Sequence, residues 1–92
     1  MNLLRRIEII MNVTVKYSVK ELLGELRDGL YTLPEGAAIT NLIEASAQEA
    51  HRELAEEVKR SIIFLVNNRP ASWETPLNDG DSVRVLYKII GG

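Results

Sequence analysis

The stretch Asp81-Ser-Val-Arg-Val-Leu-Tyr-Lys-Ile-Ile90, followed by Gly91-Gly92, decides how this sequence is interpreted. Its residues alternate between two faces, which predicts a half-buried strand, with Val83, Val85 and Tyr87 on one face and Arg84, Leu86 and Lys88 on the other. At average glycine usage, two glycines end about one chain in 200. Glycine has no Cβ, so such a tail can enter a narrow channel. We therefore expect the working group to be the terminal carboxylate of Gly92.

Length and composition limit the function classes. The 92 residues predict one domain spanning residues 1–92, and the 46% hydrophobic and 26% charged content is that of an ordinary soluble protein. With 11 basic and 13 acidic residues the net charge is −2, which favours neither nucleic acid nor an anionic membrane as partner. The absence of cysteine excludes disulfides, thiolate metal sites and cysteine nucleophiles, and one histidine, His51, disfavours a zinc site.

The N-terminal segment allows two interpretations. Its apolar run is too short for a signal peptide or a membrane-spanning helix, so we expect a cytoplasmic protein. Met11 is an alternative initiator, which would make residues 1–10 an upstream extension. Against this, one alternating pattern crosses Met11 and predicts a single half-buried strand from Ile7 to Tyr17, with Ile7, Ile9, Met11, Val13, Val15 and Tyr17 on its inner face. Both interpretations stay open.

The first half of the chain predicts a hairpin followed by a long helix. A loop with one helical turn is expected over residues 20–29, and a short strand over residues 29–33, before the break at Pro34-Glu-Gly36. Thr40 or Asn41 can cap a helix that meets no Gly or Pro until Pro70. Its apolar stripe has helical spacing and consists of Ile39, Leu42, Ile43, Ala47, Ala50, Leu54 and Val58. The sequence leaves open whether this helix breaks near residues 50–53.

The second half predicts strands. Ser61-Ile-Ile-Phe-Leu-Val66 is almost continuously apolar, as expected of a strand covered on both faces. Asn67-Asn68 indicates a turn, a short edge segment includes Pro70 and Trp73, and Pro76-Leu-Asn-Asp-Gly80 is a second turn. The resulting order is β-β-α-β-(short β)-β, which predicts an α+β fold with one main helix across a mixed sheet of four to five strands.

These segments together resemble a known family. The matching stretches are Val13-Thr-Val-Lys-Tyr17, Lys20-Glu-Leu-Leu-Gly24, the run from Leu33 to Leu42, Phe64-Leu-Val-Asn67, the run from Pro76 to Val83, and Gly91-Gly92. In this order they resemble the ubiquitin-like sulfur carriers of the MoaD/ThiS family, over about residues 11–92. Chain length and the Glu-Leu-Leu-Gly segment are most similar to the small subunit of molybdopterin synthase, although those subunits often have Pro-Pro where this chain has Tyr87-Lys88. The resemblance implies a β-grasp fold with a flexible tail over residues 88–92.

The resemblance also implies a chemistry centred on Gly92. A separate ubiquitin-activating-like adenylyltransferase of the MoeB/ThiF type would use ATP to adenylate the Gly92 carboxylate, and sulfur would then convert it to a thiocarboxylate. The carrier itself would bind no cofactor or metal stably and would have no catalytic site of its own. The sulfur acceptor would be a pterin held by a large, MoaE-type synthase subunit. The alternatives are a ThiS-like carrier serving thiazole synthase, a protein modifier that forms isopeptide bonds through Gly92, and an adaptor with an idle tail.

Partner contacts are expected around the last strand. Family partners bury an apolar residue at the place of Leu86, so Leu86 is the leading docking residue. Lys88 and Lys20 are candidates to pair with acidic groups of a partner. Ile89 and Ile90 would line the neck of the partner's tunnel, and Gly91 belongs to the same tail.

Overall fold

The fold is a twisted five-stranded sheet with helices on one side. The computed structural model describes residues 9–18 and 23–88. The elements are β1 (Ile10–Tyr17), β2 (Gly29–Pro34), α1 (Ile39–Glu49), α2 (Glu56–Ser61), β3 (Ile62–Val66), β4 (Arg69–Ala71) and β5 (Ser82–Tyr87). The strand order is β2-β1-β5-β3-β4, in which β1 and β5 are parallel and the other pairs antiparallel. The predicted α+β fold, with a mixed sheet and one main helix, is therefore confirmed. None of the helices in these residues is long and apolar enough to cross a membrane.

The hydrophobic core lies between the sheet and α1, and the alternating residues of β1 supply one side of it. Met11, Val13, Val15 and Tyr17 of β1 are buried, whereas the residues between them are exposed. They meet the apolar stripe of α1, whose Ile39, Leu42 and Ile43 are also buried, and Ala47, Ala50 and Val58 pack against this core. The predicted inner face of β1 and the predicted helical stripe are confirmed at these positions.

The prediction fails at Ile9, which belongs to the same alternation but is 59% exposed. Ile9 lies one residue before β1, which begins at Ile10. Its carbonyl still accepts a hydrogen bond from Glu35 N at 2.9 Å. Ile7 lies outside the described residues.

The long helix breaks, and it begins earlier than predicted. The N-cap is Ala38 rather than Thr40 or Asn41. Asn41 acts from inside the first turn, where its Oδ1 accepts a hydrogen bond from Ala38 N at 2.8 Å. The helix ends at Glu49, and His51 takes a left-handed backbone conformation with φ 55°. This turn brings Leu54 into the core before α2 begins, so the helical stripe continues across a break.

The third strand differs from the sequence-based expectation in its start and in its burial. Ser61 ends α2, and β3 begins at Ile62. Ile62 and Phe64 are buried, but Ile63 is 44% exposed and Leu65 is half-buried. The prediction of a strand covered on both faces is therefore wrong, because the helices lie on one side of the sheet only. Trp73 joins the core edge-on to Phe64, with ring centroids 4.8 Å apart.

A carboxylate fixes the start of β5. Asp81 is buried, and its Oδ1 accepts a hydrogen bond from Asn67 Nδ2 at 2.9 Å while its Oδ2 accepts one from Asn78 N at 2.8 Å. Asn67 Oδ1 in turn accepts a hydrogen bond from Ser82 N at 3.0 Å. These bonds tie the β3–β4 turn to the first residue of β5, so the last strand enters the sheet in a defined register.

Two tyrosines near the C-terminal end of α1 differ in how their hydroxyls are satisfied. Tyr31 Oη lies 2.7 Å from Ser46 Oγ, 2.8 Å from Arg27 O and 3.2 Å from Glu49 Oε1, so its one proton is donated to one of the two acceptors while the Ser46 hydroxyl can donate to it. Tyr17 Oη is buried and has no hydrogen-bond partner among the described residues. Burial raises the pKa of both tyrosines, and in Tyr31 the hydrogen bond with Ser46 opposes this effect.

This difference predicts opposite effects of removing each hydroxyl. Tyr17→Phe removes a buried polar atom without a partner and should leave stability unchanged or raise it by about 1 kcal/mol. Tyr31→Phe leaves Ser46 unpaired and should lower stability by about 1–2 kcal/mol. Urea unfolding of the two variants measures the difference, and equal losses in both would mean that the Tyr17 hydroxyl is satisfied.

Candidate functional site

The last strand lies at the centre of the sheet and leads to the tail. β5 is held by β1 on one side and by β3 on the other. The ladder continues one residue beyond β5, because Lys88 N donates a hydrogen bond to Ser61 O. The direction in which the chain leaves the sheet is therefore fixed as far as Lys88. The predicted tail residues Ile89, Ile90, Gly91 and Gly92, and the predicted contact Lys20, lie outside the described residues.

Leu86 lies on the sheet face opposite the helices. This is the predicted orientation. Val83 and Val85, on the face toward the helices, are buried. On the other face Arg84 and Lys88 are exposed and Leu86 is half-buried. Its register partner on β3 is Ile63, and Leu86 is absent from the residues that pack against the core. The side chain is thus available on the outer face of a strand whose inner face is core.

Leu86 belongs to a small group of apolar side chains on this face. Leu65 lies on the same face of β3 as Ile63, and Pro70 is its register partner on β4. We call Ile63, Leu65, Pro70 and Leu86 the apolar patch. Ile63 and Leu65 were not predicted as surface residues because β3 was expected to be covered on both faces, and Pro70 was predicted only as part of a short edge segment. The exposed Ile63 beside Leu86 is the feature that distinguishes this patch from scattered surface leucines.

The helix side offers a different kind of surface. A half-open hollow of about 400 Å³ lies between the two helices and Trp73, and its lining mixes acidic and basic side chains such as Glu44, Glu56 and Lys59. Glu56 and Lys59 pair with each other at 3.5 Å. His51 is exposed in the turn after α1 and is not part of this lining. Within residues 9–18 and 23–88 no group of three or more potential metal ligands occurs. The apolar patch beside the tail is therefore the better candidate site.

Comparison with known proteins identifies the family to which the chain is related. The ThiS family model matches residues 8–92. A putative molybdopterin converting factor, subunit 1, from Pyrococcus furiosus is 30% identical, with a TM-score of 0.61, over 86% of this chain and 99% of that one. No curated protein matches the sequence.

More distant structures share the fold. The small archaeal modifier protein 1 from Methanosarcina acetivorans has a TM-score of 0.59 at 20% identity, covering 91% of this chain and 99% of that one. SAMP1 from Haloferax volcanii has a TM-score of 0.55 at 17% identity, covering 90% and 99%. Since the family match spans almost the whole chain and the sheet has the β-grasp architecture of these structures, the chain belongs to the ThiS family of ubiquitin-like proteins, which includes the MoaD-like carriers.

Proposed function

We propose that this protein is a sulfur carrier whose Gly92 carboxylate is adenylated and converted to a thiocarboxylate, and that it donates this sulfur in molybdopterin biosynthesis. The observation that supports the proposal most is a family match that runs through Gly91-Gly92, directly after the strand that presents Leu86. The name of the 30% identical Pyrococcus protein favours the molybdopterin branch.

The proposed chemistry starts from an unreactive group. A carboxylate resists nucleophiles, because its charge is delocalised over two oxygens. In the activating partner, a Gly92 oxygen attacks the α-phosphorus of ATP, and pyrophosphate leaves. The terminal sulfur of a persulfide then attacks the acyl carbon and AMP leaves. A thiol finally cleaves the S–S bond, which leaves the thiocarboxylate on Gly92 and a disulfide on the donor.

The carrier contributes position rather than acid–base groups. The sheet fixes the backbone as far as Lys88, and four further residues would extend the reactive carbon by up to about 13 Å into a partner. Holding that carbon beside its target makes the reaction effectively unimolecular. Glycine at positions 91 and 92 keeps this extension narrow, since a Cβ would crowd the channel and restrict the backbone.

Docking of the partners is proposed to use the apolar patch. Leu86 and Ile63 are adjacent and exposed in part, so a partner that covers them gains apolar burial of about 25 cal/mol for each Å² removed from water. Lys88 is exposed where the described chain ends and the tail begins, and there it can form an ion pair with an acidic group of a partner. Lys20 is proposed to form a similar pair. Ile89 and Ile90 would occupy the neck of the partner's tunnel.

The ThiS family name supports a second candidate, a carrier for thiamine thiazole synthesis. It shares every step up to the thiocarboxylate and differs only in the acceptor. Incubating the thiocarboxylated protein with the cyclic pterin phosphate and its large synthase subunit, or with thiazole synthase, distinguishes the two. The expected result is loss of sulfur from the carrier with the pterin system only.

Intact-mass analysis of the protein purified from its own cells tests the proposal as a whole. We expect a fraction of molecules heavier by the difference between one sulfur and one oxygen atom, and no such fraction in cells lacking the activating partner. Covalent ladders that disappear when Gly92 is deleted would instead identify a protein modifier. A single species of unmodified mass, without ladders, would contradict the proposal and favour an adaptor.

A further inference from the structure

The outer edge of β2 is a free edge of the described sheet. β2 comes first in the strand order, so β1 pairs with it on one side only. In an antiparallel pair, the backbone N–H and C=O of every second residue face away from the partner strand. The bond from Glu35 N to Ile9 O shows that these two residues face each other as a hydrogen-bonded pair. Counting back along the register, the outward residues of β2 are Leu30, Thr32 and Pro34.

Both ends of this edge are closed to a further strand. Pro34 has no N–H, and its carbonyl accepts a hydrogen bond from Ala37 N at 3.1 Å in the turn after β2. At the other end, Arg27 Nη2 donates a hydrogen bond to Leu30 O at 3.1 Å. Three outward groups lie between these closures, namely the N–H groups of Leu30 and Thr32 and the carbonyl of Thr32. The proline end is fixed by covalent structure, whereas the other end depends on one side chain.

Arg27 is held at this position by contacts to two elements. Its Nε donates to the two carboxylate oxygens of Glu49, the last residue of α1, at 3.1 Å each. Its guanidinium carbon lies 4.3 Å from the centre of the Tyr31 ring, and the Tyr31 hydroxyl lies 2.8 Å from its carbonyl oxygen. The side chain therefore bridges β2 and α1, and its bond to Leu30 O is made by an anchored group.

Two copies of this edge would be complementary to each other. In an antiparallel pair centred on Tyr31, Leu30 of each copy lies opposite Thr32 of the other, and each of these two residue pairs forms two hydrogen bonds. Two of the four bonds need Leu30 O as their acceptor. Arg27 occupies that acceptor in each copy, and its guanidinium lies on the side from which the second strand would approach. With Arg27 in place, the pairing is limited to two bonds.

We propose that Arg27 keeps the β2 edge from pairing with a second copy of this chain. Charged side chains and proline are common means by which proteins protect an edge strand from association. Here the proline closes one end, and Arg27, anchored by Glu49, closes the other. The inference concerns the association of the folded chain and does not depend on the proposed sulfur chemistry.

Sedimentation equilibrium of Arg27→Ala/Glu49→Ala tests the proposal. This double variant removes one charge of each sign, so the net charge stays at −2 and no unpaired carboxylate opposes association. Because two more hydrogen bonds become possible, self-association should strengthen by at least about 10-fold relative to the wild type. Glu25→Ala/Arg52→Ala is the matched control. It removes another arginine–glutamate pair, whose 2.9 Å contact involves no residue of β2, and it should leave self-association unchanged.

Amide hydrogen exchange identifies the surface through which the copies associate. In concentrated solutions of the double variant, the amides of Leu30 and Thr32 should exchange more slowly than in dilute solution, because their N–H groups enter the new ladder. Arg27→Lys should show a smaller increase in self-association, since a single amine cannot reproduce the fork between Glu49 and Leu30 O. If the double variant does not fold, Arg27→Lys provides the measurement.

Three results would overturn the inference. The first is equal self-association of the wild type and both Arg27 variants. The second is an equal increase in the Glu25→Ala/Arg52→Ala control, because the loss of any ion pair would then explain the change. The third is stronger self-association without slower exchange at Leu30 and Thr32, because the copies would then associate through another surface, such as the apolar patch.

Discussion

Deletion of Gly92 is expected to abolish adenylation and thiocarboxylate formation without changing the melting temperature. The proposed reaction occurs at the carboxyl carbon of this residue, and shortening the chain withdraws that carbon by about 3.5 Å from a channel built for it. The described core ends at Val85 and the last described sheet bond is made by Lys88, so we expect the deletion to leave the packing of the described residues intact. Pyrophosphate release, intact mass and thermal unfolding measure the three quantities.

Gly91→Ala is the graded control for this deletion. It keeps the terminal carboxylate in place but adds a Cβ to the tail, at a cost on the order of 1 kcal/mol or more. We therefore expect partial activity, between the wild type and the truncated protein. Full activity of the truncated protein would end the carrier hypothesis, because another group would then be the site of activation.

Leu86→Glu is expected to weaken partner binding by at least about 30-fold, as for an apolar hot-spot residue. The glutamate would lie beside Ile63 at the centre of the apolar patch, where docking would remove its charge from water. The fold should persist, since Leu86 lies opposite the helices and outside the core. Titration of the adenylating partner gives the dissociation constant, and circular dichroism gives the melting temperature.

Leu30→Glu is the matched control for Leu86→Glu. Leu30 is a leucine on the same face of the sheet, 55% exposed, but it lies on β2 at the opposite edge from the apolar patch. The same change of side chain there should alter binding by less than about threefold. If both variants bind equally weakly, the patch is not the docking site. If Leu86→Glu instead unfolds the protein, Leu86 is part of the core.

Features that depend on one strand or one helix at a time could be predicted from the sequence. The alternation from Met11 to Tyr17 and from Val83 to Leu86 follows directly from the period of a strand, and it correctly separates the inner from the outer face. The stripe of α1 was predictable for the same reason. These patterns were sufficient for the fold class and for the orientation of Leu86.

Features that depend on neighbouring strands could not be predicted in this way. Nothing along β1 shows that Lys16 lies beside Arg84, because their pairing joins segments from opposite ends of the chain. Ile9 continues the alternation of β1 but lies one residue before the strand begins, and it is exposed. Ile63 was assigned to the interior because an apolar run does not reveal that only one face of the sheet is covered.

The central position of β5 also has a consequence for biosynthesis. Chains fold as they emerge from the ribosome, N-terminal segments first, yet here β1 and β3 cannot be joined into one sheet until β5 is inserted between them. The apolar patch includes Leu86 of β5, so it is incomplete on a nascent chain or on one interrupted before Ser82. If an activating partner docks on this face, as proposed, it would distinguish finished molecules from unfinished ones.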